Sequence, residues 1–352
     1  MFKKNKLPII FMIATILTLM SACSIFDQTK QPEEAPSNTD STPPEKDTIE
    51  EPGNKQEEQA VDLPADSLQK LDKGEQVLQL QNALNHIGYE LNENGEYDEA
   101  TTWAITDFQL QHDSLLVSGL YDEQTKIALD EAIDNDVEVV AGAGLPQTAE
   151  PAFTSSGTEV IANPYEQLAL INKEHALPAD YIPEDLVIPN VPFPFSEDTP
   201  KKQMREAAAK SLEDLFAAAE KFGLELFAIS GYRSFDRQDA IFASNALKHG
   251  EEEANTFSAR PGESEHQTGL SMDVTSPEVD FELVTEFENT KEGQWIQENA
   301  AEFGFIVRFP EGKEEITKYM YEPWHLRYVG EKAAKEITAQ GITLEEYLGE
   351  TE

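Results

Sequence analysis

The chain has 352 residues, room for more than one domain, and only 39% of them are hydrophobic, which is low for a wholly compact protein. Sixty-eight acidic residues against 26 basic ones give a formal charge of -42, which argues against nucleic acid as a partner because phosphate contact needs a basic face. Cys23 is the one cysteine, so no intrachain disulfide can form.

Lys3, Lys4 and Lys6 precede an apolar run from Leu7 to Met20, and Ser21 and Ala22 stand directly before Cys23. A basic start, an apolar run too short for a comfortable membrane span, and small residues are the three regions of an export signal. With cysteine placed next, the segment resembles the bacterial lipoprotein signal, although Met20 stands where that family usually has Leu. The resemblance implies that residues 1–22 are a signal peptide, that Cys23 is lipidated, and that the chain is held on the outer face of the cell membrane. Residues 23–61, rich in Gln, Pro, Glu, Ser and Thr, bury too little to offset ordering entropy and are expected to form a disordered acidic tether.

Between residues 62 and 135 short amphipathic units alternate with turns. Val77, Leu80, Leu84 and Ile87 recur at helical spacing, Trp103, Ile105, Phe108 and Leu110 mark a second helix, and Ile127, Leu129 and Ile133 a third. The loops Asn94–Asp98 and Ser118–Asp122 each precede a Thr suited to capping the next helix. Three helices with paired Gly-x-Tyr-Asp loops resemble a peptidoglycan-binding module, which implies peptidoglycan as a partner. Ser67-Leu68-Gln69-Lys70 matches the SxxK of serine penicillin-binding enzymes by chance, because their partner motifs do not follow.

Residues 136–162 read as a small, polar linker, and the proline-rich stretch 163–198 as an extended arm over the next domain. Thr199 and Pro200 predict a helix start, with Met204, Ala208, Leu212, Leu215, Ala219 and Phe222 on one face and Gly223 ending it. A strand is expected at 224–229, a helix at 236–248, a strand at 271–275, a helix at 295–303, strands at 305–309 and 324–329, and a closing helix from Glu331. For residues 163–352 this order predicts an α+β domain, a small antiparallel sheet flanked by helices.

Two of the six histidines sit in dense polar clusters, Ser264-Glu265-His266-Gln267-Thr268-Gly269-Leu270-Ser271-Met272-Asp273 and Glu322-Pro323-Trp324-His325. Gly269 permits a bend that would bring His266 and Asp273 to one point. Two His and one Asp suit zinc and leave its fourth position for water, and Glu322 stands close enough to His325 to take that water's proton.

Together with Ser230-Gly231-Tyr232-Arg233-Ser234, these clusters resemble the VanY-like D-alanyl-D-alanine carboxypeptidases over residues 165–348. The family's pattern, SGYRS, then SxHxxGxxxD, then ExWHxRYVG, is met at every fixed position. The resemblance implies Zn2+ held by His266, Asp273 and His325, Glu322 as general base, Arg233 steadying the developing oxyanion, and Ser264 and Gln238 contacting the substrate. Tyr232, Trp324 and Tyr328 are candidates for pocket walls or for core packing, and Arg308 and Arg327 for gripping a terminal carboxylate. His86, His112, His175 and His249 carry no assigned role. The expected activity is removal of the terminal D-Ala from stem peptides ending in D-Ala-D-Ala. The alternatives are a D,D-dipeptidase or an L-alanyl-D-glutamate endopeptidase using the same site, or a non-catalytic wall-binding lipoprotein.

Overall fold

In a computed structural model the described residues are 61–147 and 150–351. Cys23, the expected signal and the tether up to residue 60 lie outside them.

The N-terminal module is three helices, α1 (Glu75–His86), α2 (Glu99–Leu110) and α3 (Glu123–Asp134). Leu80, Leu84, Ile105, Phe108 and Leu129 repeat at helical spacing and are fully buried in its core. Ile127, expected on that face, is exposed. The caps also differ from expectation: Asp98 and Asp122, not the threonines, begin α2 and α3, accepting from the backbone N–H groups of Thr101 and Thr125 at 2.9 and 2.8 Å. A carboxylate there satisfies an orphan amide and also sits well at the positive end of the helix.

Residues 139–145, inside the stretch read as a linker, lie against the module. The buried Asp107 accepts from the backbone N–H groups of Gly142, Gly144 and Leu145 at 3.0, 2.8 and 2.7 Å, and from the Tyr89 hydroxyl at 2.8 Å. The module also touches the following domain. Gln167 N–H donates to Ser118 O at 2.9 Å, Asn163 Nδ2 to Thr106 Oγ1 at 2.9 Å, and Lys70 pairs with Glu166 at 3.2 Å.

The stretch read as a linker carries two two-residue strands, and the proline-rich arm carries two more. Strands β1 (Ala152–Phe153), β2 (Glu159–Val160) and β3 (His175–Ala176) form one small sheet. Strand β4 (Leu186–Val187) pairs antiparallel with β5 (Met204–Arg205). The helix expected from Thr199 therefore starts only at Glu206, as α4 (Glu206–Lys221). Pro200–Lys202 make one 3-10 turn instead. The local capping signal is overridden because Lys201 O and Gln203 O accept from the N–H groups of Gly231 and Tyr232, at 2.6 and 2.7 Å. Ala208, Leu212, Leu215 and Ala219 of α4 are buried as expected, whereas Phe222 lies beyond the helix end and is exposed.

The main sheet has four antiparallel strands, β6 (Phe227–Ser230), β7 (Ser271–Thr275), β8 (Phe305–Phe309) and β9 (Glu322–Tyr328), in the order β6-β7-β9-β8. Around it lie α5 (Phe235–His249), α6 (Glu251–Phe257), α7 (Lys291–Asn299), α8 (Glu314–Thr317), α9 (Glu331–Gln340) and α10 (Leu344–Leu348). This is the expected three-helix module followed by an α+β domain. Met272, Val274 and Leu326 join the side chains of α4 in the core. The two-residue period of a strand then turns Asp273, His325 and Arg327 to the other face of the sheet.

Replacing Asp107 by Ala should destabilise the chain by about 3 kcal/mol or more, since hydrogen bonds to a charged group contribute roughly 1.5–3 kcal/mol each. Hydrogen exchange of the Gly142, Gly144 and Leu145 amides should accelerate. Unchanged exchange there would show that Asp107 does not anchor this segment.

Candidate metal centre and active site

Glu265–Thr268 form a single 3-10 turn that ends at Gly269 in the left-handed region, φ 70°. A Cβ at Gly269 would stand 2.9 Å from side-chain atoms of both Arg205 and Leu186, so the bend into β7 requires glycine twice over. The turn supplies His266. Across the ladder Asp273 is paired with His325 of β9 on one side and with Ser230 of β6 on the other.

The donor atoms of His266, Asp273 and His325 all lie within 4.8 Å of one another, and all three residues are buried. His266 Nε2 is 3.4 Å from Asp273 Oδ2, and His325 Nδ1 is 2.9 Å from Asp273 Oδ1. The far ring nitrogens have other neighbours. His266 Nδ1 is 2.8 Å from Gly231 O, and His325 Nε2 is 3.4 Å from Glu265 Oε2, long for a hydrogen bond.

Glu322 Oε2 lies 3.9 Å from His325 Nδ1. Residues three apart on a regular strand face opposite sides. Here the ladder is irregular: Val307 pairs with Leu326 and Phe309 with Glu322, so two steps along β8 match four along β9. That bulge, with Pro323 inside it, brings Glu322 round to the side of His325.

Burial, with the charges of Arg233 and His325, pushes His266 down to about 3, so its imidazole is neutral, as a metal donor must be. Burial alone would also lower His325, but hydrogen bonding to Asp273 and Glu265 and the charges of Asp273 and Glu322 outweigh it and raise it to about 9. Burial would raise Asp273, yet His266, His325 and Arg233 hold it below the usual carboxylate range. Glu322 is pushed up to about 7, by burial first and by Asp273 and Glu265, against His325 and Arg233. Two imidazoles and a carboxylate converging at one buried point are a donor set that fits Zn2+.

Arg233 Nη1 donates to Gln238 Oε1 at 2.8 Å, and its backbone N–H donates to His266 O at 3.1 Å. Gln238 Nε2 donates to Ala259 O at 2.5 Å, so both ends of this buried amide already hold protein partners. Arg233, Gln238, Ser264, Glu322 and Trp324 line one cavity of about 260 Å³ together with His266, Asp273 and His325.

Four other candidates fall elsewhere. Tyr232 is buried outside the cavity wall, and Tyr328 packs on Phe305 at 5.3 Å, so of the three aromatic candidates only Trp324 lines the cavity. Arg308 and Arg327 are fully buried and cannot grip a substrate carboxylate. Arg308 Nε and Arg327 Nη1 donate to Glu265 Oε1 at 2.7 and 2.6 Å, and Arg308 is held from its other side by Glu345 at 2.9 and 2.6 Å. Sequence reasoning passed over Glu265 and Glu345. Glu265 stands inside the His266 motif, a signal that was available, whereas nothing in the sequence marks Glu345.

The VanY model, described as D-alanyl-D-alanine carboxypeptidase, matches residues 201–331, and a model described as "Putative peptidoglycan binding domain" matches residues 73–129. The chain is 55% identical over 191 residues to "Putative carboxypeptidase YodJ" of Bacillus subtilis, a match covering 54% of this chain and 70% of that protein. It is 34% identical over 230 residues to the D-alanyl-D-alanine carboxypeptidase of Enterococcus faecalis, covering 60% of this chain and 82% of that one. Among solved structures it is similar to the LdcB LD-carboxypeptidase, with 52% identity and a TM-score of 0.55, covering 58% of this chain and 94% of that one. A His-His-Asp centre set in a small antiparallel sheet, with a carboxylate and a guanidinium at its edge, defines a zinc peptidase. The chain belongs to the VanY D-alanyl-D-alanine carboxypeptidase family.

A Cβ on Gly231 would stand 2.3 Å from Gln203 O and 2.8 Å from Met272 Cε. Gly231→Ala must therefore displace the carbonyl that meets His266 Nδ1. Zinc affinity, measured by competition with a chelating dye, should fall roughly 10–100-fold, as for loss of other supports of a metal-bound imidazole. Unchanged affinity would mean that this carbonyl does not orient the ring.

Proposed function

We propose that the chain is a zinc-dependent carboxypeptidase that removes the terminal D-Ala from peptidoglycan stem peptides. In this reading His266, Asp273 and His325 hold the ion, Glu322 transfers protons and Arg233 stabilises the oxyanion. The observation that carries it is the meeting of all five side chains in one cavity. A bound zinc ion supplies polarisation of the scissile carbonyl and a water acidified to roughly neutral pKa. Glu322, beside His325 and raised toward neutrality by burial, takes the proton of the attacking water and returns it to the leaving amine. Arg233 is fixed in place by Gln238, so its charge meets the carbonyl oxygen without reorganisation. Gln238 acts on the substrate through Arg233, and Ser264 borders the substrate at the mouth of the His266 turn.

The D-Ala-D-Ala preference rests on the family match and on the E. faecalis relative. A second reading, cleavage of a terminal D-Ala that follows an L-configured residue, is favoured by the 52% identity to the LdcB LD-carboxypeptidase. The helical module supports action on peptidoglycan, and Ser21-Ala22-Cys23 supports a lipid anchor on the outer face of the membrane.

Purified pentapeptide and tetrapeptide stems, incubated separately with the enzyme and followed by mass, separate the readings. Loss of one alanine from the pentapeptide, stopped by a chelator and restored by zinc, is the expected result. Loss from the tetrapeptide alone would establish the second reading. Release of a D-Ala-D-Ala dipeptide or an internal cut would move the scissile bond, and no cleavage of either stem would leave a binding protein. Glu322→Gln should lower kcat by about 10²–10⁴-fold with zinc still bound, and Arg233→Ala by roughly 10²–10³-fold. A Glu322→Gln enzyme of full activity would remove Glu322 from the mechanism.

A further inference from the structure

We infer that Glu265 is a positioning residue of the metal centre, orienting His325 by facing its Nε2 while two buried arginines fix the carboxylate from behind. The inference rests on the zinc reading of the site. The Glu265 side chain is 1% exposed, and its two oxygens divide their partners unequally. Oε1 takes both Arg308 Nε at 2.7 Å and Arg327 Nη1 at 2.6 Å. Oε2 takes neither arginine; it lies 3.4 Å from His325 Nε2 and accepts from Ser271 Oγ at 3.4 Å. A carboxylate placed only to balance two guanidinium groups would be expected to offer one oxygen to each. Here one oxygen is left for the imidazole.

The anchors are themselves held. Arg308 makes two bonds to Glu345 of α10, and Arg327 Nη2 donates to Gln167 O and Ala169 O at 3.1 and 2.8 Å. Two guanidinium groups and two carboxylates make this network neutral as a whole. A buried ion network of this kind generally adds little stability over apolar packing of the same volume, so stability alone is a poor reason for it. Its end at an imidazole edge supplies another reason. A carboxylate accepts but cannot donate, so when Nδ1 is given to a metal ion the remaining ring proton belongs on Nε2, the nitrogen that faces Glu265 Oε2. Nδ1 is the nitrogen that faces Asp273 and the centre. The Phe309 ring, 5.1 Å from that of His325, limits rotation on another side.

The test compares Glu265→Gln with Glu345→Gln in the full chain. Both remove a carboxylate from the buried network, each from Arg308, so both should lower the melting temperature, but only Glu265 faces His325. Glu265→Gln should weaken zinc affinity about 10–100-fold, by competition with a chelating dye, and shift the visible bands of the Co2+-loaded protein. Glu345→Gln should leave both readouts as in the wild type. Unchanged affinity and spectrum in Glu265→Gln would overturn the inference, as would an equal loss in both variants, which would make the network structural only. Should Glu265→Gln not fold, Glu265→Asp keeps the charge for the arginines but withdraws it from Nε2, and the same two outcomes apply. A wild-type chain that takes up no zinc would overturn the metal reading itself, and the inference with it.

Discussion

Everything at the centre depends on one cross-strand pairing, Asp273 opposite His325. Side chains directly opposite on antiparallel strands have Cβ atoms about 4.5–5.5 Å apart, close enough for an imidazole and a carboxylate to share one ion. A slip of one residue between β7 and β9 would turn one of the two toward the core face of Met272 and Leu326 and part the donors. The register is therefore set by the same alternation that builds the core. The remaining pieces are brought to this pair: the His266 turn by Gly269, Glu322 by the bulge in β9, and Arg233 by the loop backed against Gln203.

Behind the pair, charge is arranged in layers. The cavity holds Asp273, Glu322 and Arg233 with Glu265 in its wall, and Arg308 and Arg327 lie behind Glu265. Each layer is nearly dry, so the cost of burying these groups is offset only by close pairing. That explains why Arg308 and Arg327, which look like surface groups by composition, are among the largest fully buried side chains.

The parts of this design that use short-range signals were legible in the sequence. Helices α1 and α4 bury the faces their periodicity implies, and β7 runs over the residues expected of it. Arg233, His266, Asp273, Glu322 and His325, drawn from all three motifs, line one cavity. What was not legible depends on partners distant in sequence. Thr199 and Pro200 carry a sound capping signal, but the carbonyls of Lys201 and Gln203 are needed by Gly231 and Tyr232. Gly142 to Leu145 look like a linker because their partner is a single carboxylate on α2. Arg308 and Arg327 were natural candidates for a substrate carboxylate until the intramolecular carboxylates of Glu265 and Glu345 were found to occupy them.

The contacts between the helical module and the peptidase domain carry a consequence for how the enzyme meets a polymer. A binding module on a loose linker raises local concentration but leaves every approach angle open. Here Ser118 O, Thr106 and Lys70 are bonded to Gln167, Asn163 and Glu166, and Gln167 O in turn accepts from Arg327 in the network behind His325. The module and the peptidase domain are thus joined at named residues. If the module holds a glycan strand, as the proposed function has it, these contacts set the angle at which the strand's side peptides meet the cavity.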